Sequence, residues 1–299
     1  MQNKKKSIGS LTENLFSDNP REPLYHYTTL TGLLGIVRDK SLWASDIRYM
    51  NDSAELRHAA DLIRLEVQER IARGRGKADL LGQFVDWVDN RITNGHLLFG
   101  ASFRSHGNLL SQWRGYSDHG KGVSIGFSAE YILQCAVRQQ FQIGKCIYEP
   151  ERQKTLIQQI VNAVEAHVDD DAREKEYQKT PAAKYRQVFE SIELDLLRIA
   201  SILKHPSFRE EMEWRIVSPV YTDQAAAPIL FREAHSMLVP YVEFNLQQNP
   251  NQPLQFEHLY LGPTTNINIS MNSLKMFLAQ NGIIPRNGID YCRIPFRQR

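Results

Sequence analysis

Apolar positions along the chain recur with two periods, and these divide it into strands and helices. Leu24 to Thr28 is a short strand rich in aromatic residues. Thr28 or Thr29 then caps a helix carrying Leu30, Leu33, Leu34 and Val37 on one face. Leu42-Trp43-Ala44-Ser45 reads as extended. A long helix follows over 51–73. It opens with the capping-box pattern Asp52-Ser53-Ala54-Glu55 and carries a stripe of Leu56, Ala59, Ala60, Ile63, Val67 and Ile71. Gly74 and Gly76 end it. A second helix, over 78–92, buries Leu81, Phe84, Val85 and Val88.

Beyond it the pattern predicts a buried strand over 96–103, a helical turn over 109–113 and strands over 123–127 and 141–148. Residues 150–204 are helical and highly charged, with Asp169-Asp170-Asp171 near the centre, and read as an exposed helical hairpin. Met212, Trp214 and Ile216 alternate with Glu211, Glu213 and Arg215, which is strand periodicity. Further strands are predicted over 229–232, 237–244, 256–261 and 290–296, with a helix over 268–280 stopped by Asn281-Gly282. Strands at both ends with helices between them predict an α+β fold. The expected organisation is a flexible leader over 1–20, then one domain over 21–299 with a helical insertion at about 150–205.

Composition narrows this picture only a little. Lys plus Arg number 36 and Asp plus Glu 34, so the net charge of +2 exerts no general pull on nucleic acid or membrane. Lys4-Lys5-Lys6 reads as a solvated tail. There is no signal-peptide pattern and no run of about 18 apolar residues. Cys135, Cys146 and Cys292 are odd in number and widely spaced, which argues against a disulfide framework or a zinc site and for a reducing, cytoplasmic setting.

Three segments are candidates for chemistry. If 211–216 is a strand, Glu211, Glu213 and Arg215 share one face, as a carboxylate pair fit for catalysis or as a polar surface closed by an ion pair. His26, inside Tyr25-His26-Tyr27-Thr28, is either a ligand contact or a satisfied structural histidine. Ser111-Gln112-Trp113-Arg114-Gly115-Tyr116 has the mix of aromatic and polar groups found in pockets, and equally that of a packed corner. The phosphate-loop, dinucleotide-fingerprint, HExxH and GxSxG patterns are all missing.

These residues also carry a resemblance. Leu24 to Thr28, Leu42 to Ser45, Met50-Asn51-Asp52 with Glu55, Leu110 to Tyr116, Glu211 to Arg215 and Ile294-Pro295-Phe296-Arg297 resemble, in order, the signatures of a large bacterial family labelled only as a domain of unknown function. A histidine in an aromatic first strand and a late Glu-x-Glu are in turn similar to ADP-ribosyltransferases. That similarity implies a split, mixed or antiparallel sheet with inserted helices, and NAD as substrate. It implies that His26 holds the adenosine-side ribose or its phosphate, Glu213 acts on the nicotinamide ribose and Glu211 orients the acceptor. Tyr49 or Tyr116 would stack on nicotinamide. Tyr27, Thr28, Trp43, Ser45, Asn51, Gln112 and Arg114 would line the cofactor cleft. The family's middle-strand motif has no counterpart, so the stacking tyrosine stays open. The implied activity is ADP-ribosyl transfer from NAD to a protein or nucleic acid, as in toxins and phage-defence effectors. The alternatives are a nucleotide-binding sensor, or a nuclease using Glu211, Glu213 and Asp46 with Mg²⁺.

Overall fold

The computed structural model describes residues 7–50, 54–116, 121–174, 181–223, 225, 227–234, 236–249 and 252–293. Its strands are β1 (Leu24–Thr28), β2 (Ser41–Asp46), β3 (Phe99–Arg104), β4 (Val123–Phe127), β5 (Gln142–Lys145), β6 (Glu213–Val217), β7 (Leu230–Ala234), β8 (Met237–Asn245), β9 (His258–Leu261) and β10 (Ile289–Tyr291). The helices are α1 (Ile8–Leu15), α2 (Leu30–Asp39), α3 (Ala54–Ala72), α4 (Ala78–Asn94), α5 (Leu110–Tyr116), α6 (Ala129–Arg138), α7 (Pro150–Glu174), α8 (Pro181–Ser201) and α9 (Ile267–Gln280). The fold is α+β, with one mixed sheet in which β9 and β10 run parallel and the other described pairs antiparallel.

The centre of that sheet determines where a site can form. One edge of β3 is taken along its length by β6, from Gly100↔Val217 to Arg104↔Glu213. The other edge is shared. β2 pairs at Phe99 and Gly100, and β1 pairs only at Arg104. Among the described residues, Ala101, Ser102 and Phe103 therefore have no strand neighbour on that side, and β1 and β2 diverge there. β1 continues the sheet through β4, β9 and β10, and β2 continues it through β8 and β7.

Side chains alternate across a strand, so β3 and β6 send two different sets to their two faces. Phe99, Ala101 and Phe103, with Trp214 and Ile216, join a core that includes Leu42, Ile125, Val242, Phe244 and Leu259. The other set is Gly100, Ser102 and Arg104 with Glu213 and Arg215. A second core lies in the helical layer, where Leu56, Ile63 and Val67 of α3, Phe84 of α4, Ile160 and Val164 of α7 and Phe189 and Ile199 of α8 meet.

Several elements differ from expectation. The leader contains α1, capped by Ser7, with Ile8 and Leu11 buried in the helical core and Leu15 and Phe16 packed against it. The 150–204 segment is not an exposed hairpin, because its apolar stripe completes that same core. On α2 the buried stripe is Leu33, Ile36 and Val37, and Leu30 and Leu34 are exposed. β6 starts at Glu213: Glu211 ends a 3-10 turn (Pro206–Glu211), and Met212 adopts a left-handed φ of 39° and is exposed rather than in the core. That kink interrupts the alternation that Met212 had suggested. The three cysteines are buried.

Candidate functional site

A cleft of about 390 Å³ opens where β1 and β2 part. Its walls are β1 from His26 to Thr28, the first turns of α2, β2 from Ser41 to Ser45, and the Gly100, Ala101, Ser102 and Arg104 stretch of β3. Gln112, Lys204, Arg215 and Arg232 complete it.

His26 fills the gap in the sheet. Its Nδ1 lies 3.1 Å from the Ser102 carbonyl oxygen. A carbonyl only accepts, so Nδ1 carries the hydrogen and Nε2 of the neutral ring is an acceptor. Burial, with Arg104 adding to it, pushes the imidazole below its usual pKa and keeps it neutral near pH 7. Tyr27, next along, is committed to structure. Its hydroxyl donates to the His106 carbonyl at 2.8 Å and accepts from Leu109 N–H at 2.9 Å, and its ring packs edge-on against Trp113.

Thr29 caps α2 through its side chain, which accepts from Gly32 N–H at 3.0 Å. Only glycine fits at 32, since a Cβ there would lie 2.0 Å from Thr28 Oγ1. The α2 N-terminus therefore sits tight against β1, and its partial positive end faces the cleft.

On the opposite wall Trp43 is 43% exposed, and its ring leans on Tyr241 with 4.7 Å between centroids. Ser45 Oγ lies 3.4 Å from an Arg232 nitrogen. Arg232 is half-buried, and no carboxylate lies within ion-pair distance of it among the described residues. Its burial lowers the guanidinium's pKa.

Beneath the cleft lies a buried charge cluster. Glu213 is fully buried; Lys204 Nζ reaches its Oε2 at 2.7 Å, Arg104 the same oxygen at 3.1 Å, and Arg215 its Oε1 at 2.8 Å. Ser102 Oγ donates to Oε1 at 2.5 Å. Glu211 joins through Lys204 at 2.5 Å and Arg104 at 3.0 Å. Burial works against the Glu213 charge, but Arg215, Arg104 and Lys204 together outweigh it and hold the carboxyl well below the usual range. For Glu211 burial dominates, and its pKa is raised. The helical layer supports the cluster directly: Arg215 donates to the Ser201 carbonyl at 2.5 Å, and Gln153 donates to the Lys204 carbonyl at 2.7 Å.

Of the residues predicted for a site, His26, Tyr27, Thr28, Trp43, Ser45 and Gln112 line this cleft. Glu211 and Glu213 lie below it, bound to cations. Tyr49 and Arg114 are exposed and outside its lining. Asn51 and the Tyr116 side chain lie outside the described residues. Sequence reasoning missed Ser102, Arg104, Lys204 and Arg232. Ser102 and Glu213 are 111 residues apart, so no local spacing could have linked them.

Among the described residues, no Asp or Glu lines the cleft, while four Arg and Lys side chains do. Three of the four are paired with the two carboxylates below, which a metal ion could reach only by displacing those cations.

A family described as "Protein of unknown function (DUF2971)" matches residues 112–216, about a third of the chain. The matched stretch takes in Gln112, Lys204, Glu211, Glu213 and Arg215, and leaves out the β1 and β2 walls. No curated protein and no solved structure matches the chain.

Proposed function

We propose that the cleft binds a phosphate-bearing nucleotide. The observation that carries this is Arg232: a half-buried guanidinium in the cleft wall, with no acidic partner among the described residues. A desolvated, uncompensated cation is costly in an empty protein, and a bound phosphate removes that cost. The surrounding groups suit the rest of such a ligand. Trp43 offers an open aromatic face for a base. The neutral His26 Nε2 accepts from a ribose hydroxyl. The α2 N-terminus adds a favourable field for phosphate. NAD falls within this class, and the same residues suit its pyrophosphate and adenosine.

A second reading is turnover: NAD-consuming ADP-ribosyl transfer to a protein or nucleic acid. It is favoured by the split of the sheet at His26 and by Ser102, whose hydroxyl links the cleft to Glu213. Against it stands electrostatics. Breaking the nicotinamide bond builds positive charge on the ribose, which needs an available carboxylate. Glu213 already faces three cations, so binding without turnover is the better-supported reading.

Incubating the protein with NAD and cell extract separates the two. Nucleotide binding without nicotinamide release supports a binding or sensor module. Nicotinamide release that stops in Ser102→Ala while the protein stays folded would instead establish transfer chemistry.

A further inference from the structure

Alternation along β2 sends Ser41, Trp43 and Ser45 to one face, and all three line the cleft. Each meets a different group. Ser41 Oγ donates to Glu243 Oε1 at 3.1 Å, Trp43 leans on Tyr241, and Ser45 Oγ lies against Arg232. A carboxylate, an aromatic platform and a guanidinium thus follow one another along a single strand.

The sheet places Glu243. It pairs with Trp43 across β2 and β8, which puts both side chains on one face with their Cβ atoms about 5 Å apart. The bond from Ser41, itself buried, fixes one carboxylate oxygen. Glu243 is exposed and stands beside Ser41, outside the lining of the cleft. Among the described residues, no Lys, Arg or His nitrogen lies within ion-pair distance of it. Its acceptors are therefore open to a group lying beside the indole.

A carboxylate only accepts hydrogen bonds. A base that stacks on Trp43 and turns its edge to Glu243 is held best when that edge carries two adjacent donors, one for each oxygen. Guanine has them in N1–H and its N2 amino group. Adenine offers a donor at N6 next to an acceptor at N1, and cytosine a donor at N4 next to an acceptor at N3. The single N3–H of uracil lies between two carbonyls. Each of these three turns at least one lone pair toward the carboxylate. The spacing agrees. Ser41 and Ser45 are roughly 13 Å apart at the rise of a strand. A nucleotide with its base edge at Glu243 and its phosphate at Arg232 spans that length, with a hydrogen bond at either end.

We propose that Glu243 selects guanine, so that the ligand is a guanine nucleotide. This rests on the nucleotide reading above and narrows it. Adenine nucleotides keep the contacts with Trp43 and Arg232 and lose the paired bond at Glu243. Calorimetric titration of the full chain with GDP and with ADP, at matched ionic strength, tests it. GDP should bind about tenfold tighter or more, the gain of one charge-assisted hydrogen bond. Glu243→Ala removes both acceptors from an exposed position, so the ratio of the two affinities should fall to about one. Glu243→Gln offers one acceptor and one donor, the complement of adenine, and should tip the ratio toward ADP. Equal affinity for the two nucleotides in the wild type overturns guanine selection while leaving the nucleotide reading intact. So does a preference for GDP that survives in Glu243→Ala. Failure of both nucleotides to bind the folded protein overturns the two together.

Discussion

The Glu213 carboxylate lies among Lys204, Arg104 and Arg215 with no contact with solvent, so removing its charge takes a buried counter-ion from all three cations and leaves Glu211 on Lys204 and Arg104. Breaking one side of a buried ion pair is far more damaging than never having built it. Glu213→Gln should therefore cost about 3 to 5 kcal/mol in urea unfolding; a loss below 1 kcal/mol would show that the cluster is not holding the fold. His26 gives a pH signature. Its folded pKa is depressed, so below the unfolded value of about 6.5 the unfolded chain binds the extra proton and the folded one does not. Stability from this residue is present above pH 6.5 and declines as pH falls toward the folded pKa. Glu213 is also depressed, so its contribution persists to lower pH and is lost only as pH falls below about 4.3 toward its own folded pKa. Unfolding free energy should drop between pH 7 and 5, and His26→Gln should flatten that interval. A slope equal to that of the wild type would contradict the assignment.

The elements were legible where a local signal was strong. β1, α3, α4 and α9 follow directly from aromatic runs, apolar stripes and glycine or asparagine stops. Gly74 and Gly76, at the end of α3, have φ of 64° and 82°, as a helix stop requires. Other elements were legible only in part. The alternation around Met212 implied a longer strand, because a single left-handed residue is invisible to periodicity. α6 was passed over although Ser128 caps it by accepting from Tyr131 N–H, and its buried residues Tyr131, Ile132, Cys135 and Ala136 keep helical spacing. The tight junction of β1 with α2 depends on Gly32, whose role appears only when Thr28 is seen against it. Gly32→Ala should lower stability by about 1 to 3 kcal/mol through overpacking. Adding Thr28→Ala, which removes the clashing oxygen, should recover part of that loss. Thermal melts of the two variants decide this, and a neutral Gly32→Ala would show that the junction yields easily.

For the whole molecule, the α+β class was readable from the sequence, and the first strand and the Gln112 segment singled out there meet at one cleft. The cation wall was not. Arg104, Lys204, Arg215 and Arg232 come from β3, the end of α8, β6 and β7, and only the completed sheet and helical layer bring them to one cleft. The helical layer is thus part of the site's foundation, because Lys204 and the Ser201 carbonyl come from its edge. We propose that this wall holds phosphate, with Arg232 as the cation that has no carboxylate partner among the described residues. The most direct measurement is the affinity of ADP for the wild type and for Arg232→Ala by calorimetry at low salt. ADP should bind the wild type, and Arg232→Ala should weaken that binding by about tenfold or more. No measurable binding to the folded wild type, or equal affinity in the two proteins, would show that Arg232 does not hold a phosphate.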